Sequence, residues 1–348
     1  MFPRLGPLRA RCLTVPLLKS LITTIEQTGH WAPWIFLLLF IVGSMLMIWR
    51  LEAMNDDGFE GTVLGTLVMP YCSGIGNLVF AVLLGLGNGP GAEVVTNALV
   101  NNVTNMTLLI GLPAVIWGMN IAGASPAKKG ASGGNKTRQL NRLSLLLTLT
   151  AVLFFTGATW ALARDGKVDF WDGAVLVGLF LFWQCFQVFD VLKSNVQKGR
   201  SFSWMLPVNL ALLAVGAVAI YVSTDWLVVW SSSAKNSFVR DHLGWLSGCL
   251  MVLPNALLAF YYGWRGKPEV IYSSQVGDGH ICIPLCIGIY ALFHPLTVPA
   301  FFQTGVIILG SATALHFVVV ALFGGLPRFF GLCLVGGYLV FLWKGLNG

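Results

Sequence analysis

The chain has 348 residues, of which 56% are hydrophobic and only 10% are charged, with a mean hydropathy of +0.77. A soluble domain would carry about 25% charged residues, so this composition excludes an ordinary soluble protein and indicates an integral membrane protein. The net charge of +7 comes largely from loops. There it affects the orientation of the protein in the membrane and its attraction to anionic lipid. Nucleic acid is therefore not an expected partner.

Apolar stretches of about 20 residues, the length at which an α-helix crosses a bilayer, recur along the chain. Because backbone groups must be paired internally in hydrocarbon, each stretch is predicted to be helical. We predict ten spans, roughly over 31–50, 59–87, 92–118, 141–163, 169–192, 203–228, 241–264, 269–293, 297–323 and 326–346. The predicted fold class is an all-α polytopic membrane protein.

The spans divide into two units of five. Residues 1–30 form a basic N-terminal segment, in which 13–27 could form a short interfacial helix. The first five-helix unit is predicted over 31–193 and the second over 203–348, with 194–202 as the linker between them. Because five is an odd number, the second unit must enter the membrane in the opposite direction, which makes an inverted-topology repeat.

Basic residues are more frequent on one face of the predicted bundle. The positive-inside rule then places the loop around 119–140 in the cytoplasm and both termini outside. The basic residues Arg4, Arg9 and Arg11 before the first span argue for the opposite orientation, so both orientations stay open. The expected location is a plasma membrane or an inner membrane.

One sequence pattern occurs in both units. Asn-x-x-x-Ala-x-x-x-Gly spans Asn77–Gly85 in the second helix and Asn255–Gly263 in the seventh. Each copy is followed by an apolar helix with polar residues at its centre, which closes at Gly111 or Gly288. The two distances agree to one residue (111 − 77 = 34 and 288 − 255 = 33). Secondary transporters build a central ion site from such duplicated segments.

Polar residues at mid-span are the candidate ion ligands, because an unpaired polar group in hydrocarbon costs several kcal/mol. The candidates are Asn77, Asn101, Asn105, Asn255 and Asp278. Asn101 and Asn105 are four residues apart and share one helix face, whereas Asn102 points elsewhere. Asp278 is the only acid predicted at mid-membrane, so it should pair with a cation or take up a proton. The alternative for the asparagines is interhelical hydrogen bonding without a site.

Three further residues are secondary candidates, namely Ser73, Cys282 and His280. Cys282 and Cys286 share a helix face with Asp278. Buried cysteines of this kind are more often small core residues than ligands of a soft metal. His280 lies about 200° around the helix from Asp278, which favours packing. No metal site is assigned.

Glycines and a proline precede the two pattern asparagines. Gly74 and Gly76 are expected to let the second helix unwind before Asn77 and present carbonyl groups to an ion. Pro254 removes one helical hydrogen bond and frees a carbonyl before Asn255.

This arrangement resembles the sodium/calcium exchanger family of the cation/calcium antiporters, whose members have ten helices in two inverted halves. The family's first motif, approximately Gly-Thr-Ser-x-Pro-Glu, corresponds here to Ser73–Asn77 and Met251–Asn255. Its second motif, Gly-Ser-Asn-x-x-Asn/Asp, corresponds to Val100–Asn105 and Gly277–Cys282. The resemblance covers nearly the whole topology and implies the exchanger fold and cation antiport.

The departures from the family pattern fall on the ion ligands. Both family glutamates are asparagines here, Asn77 and Asn255, and the serine of the second motif is Asn101 or Asp278. Cys282 replaces the last residue of that motif in the second unit. Calcium prefers six to eight oxygen ligands, usually with several carboxylates, so calcium is doubtful. A monovalent cation or a proton is expected, and no cofactor beyond a bound cation.

Two alternatives stand beside an antiporter. The loss of both glutamates would also fit a transport-inactive exchanger-fold subunit, and the 13 Trp and 23 Phe could cover lipid or a membrane-protein partner. An enzyme is disfavoured because the sequence has no HExxH, GxSxG or paired catalytic aspartates. The expected partners are the lipid bilayer and a small cation.

Overall fold

The structure is a computed structural model that describes residues 16–56, 69–120, 133–195, 205–233 and 237–346. Within these residues nine helices are long and apolar enough to cross a membrane, and Gly74–Leu86 is a shorter apolar helix. The protein is therefore an integral, multi-pass membrane protein. Most of the predicted linker 194–202 and the first half of the N-terminal segment lie outside the described residues.

The described residues of the N-terminal segment and the first unit form seven α-helices. They are α1 (Pro16–Glu26), α2 (Ala32–Asp56), α3 (Met69–Leu86), α4 (Gly91–Val103), α5 (Ile110–Trp117), α6 (Gly133–Leu162) and α7 (Phe170–Asn195), with 3-10 turns over Gly29–Trp31 and Ala163–Asp165. A π-helical turn over Thr104–Leu109, here named π1, joins α4 to α5 as one span. Two-residue strands follow at β1 (Met119–Asn120) and β2 (Lys167–Val168).

From its first span onward the second unit repeats this order, except that the short helix α9 follows the first span. Its elements are α8 (Leu206–Ser232), α9 (Ser237–Asp241), α10 (Leu243–Trp264), α11 (Pro268–His280), α12 (Ile287–Phe293), α13 (Phe302–Phe323) and α14 (Arg328–Leu346), with strands β3 (Leu296–Thr297) and β4 (Gly325–Leu326). A second π-helical turn over Ile281–Cys286, named π2, joins α11 to α12.

The predicted internal repeat is confirmed at the level of single residues. Adding 177 to the first residues of α4, π1 and α5 gives the first residues of α11, π2 and α12, and the same offset relates β1 to β3. β1 pairs with β4 and β2 pairs with β3, both antiparallel. In a ten-span path each pair joins loops of one membrane face, and the two pairs lie on opposite faces. The two units are therefore inverted relative to each other.

The helices that carry the polar candidates form the centre of the bundle. Most residues of the spans α4–π1–α5 and α11–π2–α12 are buried inside the protein, whereas most residues of α14 are not. Exposed aromatic and aliphatic side chains cover the outer helices, as expected for surfaces that face lipid.

The short helix expected before the first span is present as α1. Its apolar residues Ile22 and Ile25 pack on a cluster that contains Phe36 of α2 and Trp226 of α8. The Trp226 indole N–H donates to the Glu26 carboxylate at 3.0 Å. α1 is thus attached to the ends of the first spans of both units.

Two symmetry-related glycine contacts bring outer helices against the central ones. A Cβ atom at Gly331 of α14 would lie 2.8 Å from the Gly111 carbonyl of α5, and one at Gly173 of α7 would lie 2.8 Å from the Gly288 carbonyl of α12. Small residues permit such close approach of membrane helices.

We expect Gly331→Ala and Gly173→Ala each to lower the free energy of unfolding by about 1–3 kcal/mol, because the added methyl group overpacks the contact. Gly336→Ala and Gly178→Ala on the same two helices are matched controls, since a Cβ there meets no atom within 4 Å. Thermal unfolding of the purified protein in detergent measures the difference. Equal melting temperatures for the contact variants and their controls would contradict the packing.

Candidate ion-binding site

The expectation that the second helix unwinds before Asn77 is wrong. α3 is a continuous α-helix that runs through Gly74 and Gly76. A Cβ at Gly74 would lie 3.2 Å from the Ile281 side chain, and one at Gly76 would lie 3.1 Å from Phe40. The glycines therefore let neighbouring side chains approach the helix.

The irregular backbone lies instead in the third and eighth spans. α10 continues through Pro254 to its end at Trp264, whereas π1 and π2 interrupt the α-helical pattern of the two most buried spans. A π turn inserts one residue into the helix, and such turns are frequent at functional sites. Asn105 lies in π1, and its counterpart at the offset of 177, Cys282, lies in π2.

The structure joins four of the five predicted site residues through hydrogen bonds. The Asn105 amide donates to the Asn101 side-chain oxygen at 2.8 Å and to Asp278 Oδ2 at 3.0 Å. The Asn255 amide donates to the same Asp278 oxygen. Three spans, α4–π1–α5, α10 and α11–π2–α12, therefore meet at one carboxylate. We name Asn101, Asn105, Asn255 and Asp278 the amide–carboxylate cluster.

The fifth predicted residue, Asn77, is fully buried, and neither its side-chain oxygen nor its side-chain nitrogen has a hydrogen-bond partner. Its helix α3 packs against α11 and π2. The side-chain oxygens of Asn105 and Asn255 also have no partner, although their N–H groups hold Asp278. Each buried polar group without a partner costs about 1–3 kcal/mol. These amide oxygens are therefore suited to accept a cation.

The cluster is buried and sparsely charged. Asn77, Asn101, Asn105 and Asp278 are 0% exposed and Asn255 is 1% exposed. Within the described part of the chain, no group of three or more His, Cys, Asp or Glu side chains could hold a metal ion. Asp278 is the only carboxylate of the cluster, and its other members are neutral amides.

His280 lies outside the cluster. Its Nε2 is 3.1 Å from the Thr148 carbonyl of α6, and its ring contacts Phe155 edge to face at 5.8 Å between centroids. It also packs on Trp183 of α7. His280 thus joins α11 to the two outer helices of the other unit, in agreement with its predicted packing role.

The other secondary candidates are placed differently. Cys282 is buried beside Asp278, Asn102 and Cys286, on the predicted face. Ser73 belongs to α3, but its side chain lies outside the described set.

Two cluster neighbours were missed by the sequence reasoning. The Asn97 amide donates to Ser247 Oγ at 3.0 Å and to the Met251 sulfur at 3.4 Å, which links α4 to α10. The Gln275 amide donates to the Asn255 backbone carbonyl at 3.3 Å. Asn97 lies four residues before Asn101, so the helical spacing used for Asn105 would have found it.

A buried bridge from the ninth span was also missed. His316 of α13 has its Nδ1 3.1 Å from the Tyr272 hydroxyl and its Nε2 2.7 Å from the Met106 carbonyl. Both rings are 0% exposed. With Tyr272 donating to Nδ1, the N–H at Nε2 donates to Met106, which follows Asn105 in π1. His316 therefore partners a backbone carbonyl of π1 next to a cluster residue.

Comparison with known proteins gives a family match over the first unit and a fold match over both units. The family model described as sodium/calcium exchanger protein matches residues 31–189, which lie within the predicted first unit (31–193). Across both units, the chain is similar to the sodium-calcium exchanger NCX_Mj soaked with zero Na+ and Ca2+. The TM-score is 0.63 at 18% identity, with 89% of this chain and 96% of that chain covered. The first unit thus matches the sodium/calcium exchanger family model, and the whole chain has the fold of such an exchanger.

The same exchanger soaked with 2.5 mM Na+ and 10 mM Sr2+ gives a TM-score of 0.61 at 18% identity, covering 88% of this chain and 94% of that chain. A search of curated proteins returned no match. The family model agrees with the resemblance seen in the signature segments of the first unit, and the structural matches confirm the exchanger fold across both units.

We expect His316→Leu to lower the free energy of unfolding by about 1–3 kcal/mol, because it leaves the Met106 carbonyl and the Tyr272 hydroxyl buried without a partner. His316→Gln is the matched control, since its amide can donate to Met106 and its oxygen can accept from Tyr272. Thermal unfolding in detergent measures both variants. Equal losses of stability in His316→Leu and His316→Gln would show that the bridge stabilises the protein by the shape of its side chain and not by its hydrogen bonds.

Proposed function

We propose that this exchanger-family member is an antiporter that moves a monovalent cation or a proton, with Asp278 as the single charged ligand. The observation that carries the proposal is one buried carboxylate close to the side-chain oxygens of Asn105 and Asn255, which have no hydrogen-bond partner. In this arrangement the N–H groups of Asn105 and Asn255 orient the carboxylate. Their oxygens, together with that of Asn77, are free to accept a cation.

The charge of the cluster supports a monovalent ion. Desolvating a charge in a protein interior costs several kcal/mol unless it is compensated. One positive charge beside the ionised Asp278 leaves the loaded site neutral, and protonation of Asp278 does the same. A divalent ion would leave an uncompensated positive charge. Calcium also prefers several carboxylates, and the cluster offers one.

The position of the cluster supports exchange across the membrane. Asn101 and Asn105 belong to the first unit, whereas Asn255 and Asp278 belong to the second, so the site lies between the inverted units. In secondary transporters such a site becomes accessible from alternate sides when the repeats move relative to each other. An ion gradient would drive the exchange.

A transport-inactive subunit of a membrane complex is the second candidate, and one observation favours it. Asp278 Oδ2 already accepts two amide N–H groups, so the cluster could be a structural hydrogen-bond network that needs no ion. Flux measurements separate the two candidates.

We expect purified protein in proteoliposomes to move sodium ions or protons down an imposed gradient, and Asp278→Asn to abolish this flux, because it removes the only charge of the cluster. Glu269→Gln is the matched control, since it removes an exposed carboxylate from the first turn of the same helix. Sodium uptake and a pH-sensitive dye inside the vesicles measure the flux. No flux with folded wild-type protein, or equal flux in Asp278→Asn, would overturn the proposal.

We also expect Asn255→Glu to make the stability of the protein depend on calcium. The new carboxylate would face Asp278 in place of an N–H donor, so the lost hydrogen bond costs about 1–3 kcal/mol in calcium-free buffer. A divalent ion between two carboxylates would restore that stability. Melting temperatures with calcium or a chelator measure the effect.

Asn255→Gln is the control for Asn255→Glu, because the Gln side chain is as long as that of Glu and keeps the amide group of Asn. The result expected is a calcium-dependent melting temperature in the Glu variant alone. Equal calcium dependence in wild type and in both variants would show that position 255 does not set the charge preference.

A further inference from the structure

A cavity of about 450 Å³ lies between α2, α8 and α10. Apolar side chains from all three helices line it, among them Leu37, Leu227 and Leu250. Its volume falls in the range of about 300–1,000 Å³ that is typical of small-molecule sites in proteins. The cavity is therefore large enough for a ligand.

The lining argues against a hydrated ion. Among its described residues there is no Asp, Glu, Lys or Arg, and His30 is the only titratable side chain. A cation that leaves water for such a surface would lose its hydration without gaining ligands. A neutral, mostly apolar molecule fits this surface.

One polar group of the cavity has no partner. Thr224 of α8 is 1% exposed and its hydroxyl makes no hydrogen bond. The other two hydroxyls are occupied, because Ser231 donates to the Leu227 carbonyl and Ser247 donates to the Gly244 carbonyl. The cavity thus offers one unused hydrogen-bonding group in an apolar space.

The depth and the mouth of the cavity indicate where a ligand comes from. Met251, at the inner end of the lining, lies eight residues into α10, which corresponds to about 12 Å along the helix. Trp34 is 64% exposed and Trp230 is 41% exposed beside the cavity. Because α2, α8 and α10 are membrane-spanning helices, molecules dissolved in the bilayer have direct access.

We propose that this cavity binds a small neutral amphiphile from the bilayer, of the medium-chain alcohol class. The hydroxyl group of the ligand pairs with Thr224, and its hydrocarbon chain fills the space between Leu227 and Leu250. The bound molecule contacts Met251, four residues and one helical turn before Asn255 of the amide–carboxylate cluster. The proposal concerns binding and does not depend on transport.

Photolabelling of the full chain in lipid nanodiscs with a diazirine-bearing octanol tests the proposal. We expect saturable labelling of peptides from α8 and α10 that unlabelled octanol competes away. Thr224→Val keeps the shape of the side chain and removes its hydroxyl, so the apparent affinity should fall about 2- to 10-fold, the value of one neutral hydrogen bond. A diazirine-bearing alkane of equal length should bind wild type and Thr224→Val alike.

Leu250→Trp fills the cavity and should abolish the saturable labelling. Leu253→Trp is its matched control, because Leu253 is 39% exposed on the same helix and does not line the cavity. If Leu250→Trp fails to fold, Leu227→Trp fills the same space from α8. Labelling that does not saturate, or that persists unchanged in Thr224→Val, would overturn the proposal.

Discussion

The site rests on one constraint: a carboxylate buried in a membrane protein must be held by hydrogen-bond donors or by a positive charge. Asp278 meets this constraint through the amides of Asn105 and Asn255, which belong to opposite units and donate to the same oxygen. The same two amides keep their oxygens without a partner. The groups that stabilise the negative charge are thus the groups that can bind its counter-ion. Removing either amide would therefore disturb both the hydrogen bonds to Asp278 and the oxygens proposed to bind a cation.

The backbone around the cluster obeys the same requirement. A π turn changes the hydrogen-bond pattern of a helix, and its polar groups need partners where no water reaches them. In π1 the Thr104 and Thr107 hydroxyls donate to carbonyls one turn earlier, and His316 donates to Met106 from another helix. The position of Asn105 thus depends on side chains that do not belong to the cluster. The geometry of the cluster is therefore set by the packing of several spans.

Much of the fold could be predicted from the sequence because membrane helices and polar residues within them are conspicuous. The spacing of Asn101 and Asn105 predicts a shared face, and the repeat around Asn77 and Asn255 predicts two matching units. The location of the irregular backbone could not be predicted, because Gly74 and Gly76 are compatible with either unwinding or close packing. Only the neighbours Ile281 and Phe40 decide between them. His316 was missed because its partners come from distant spans.

The two units share a backbone but differ in the residues of the site. The π turns, the strand pairs and the glycine contacts are all repeated in both units. At the positions of the amide–carboxylate cluster, however, Asn101 corresponds to Asp278 and Asn105 corresponds to Cys282. Alternating access requires only that the two units can exchange conformations, which is a property of the repeated backbone. The charge of the cluster can therefore change by single substitutions without loss of the fold, and the exchanger fold can hold a cluster that has one carboxylate.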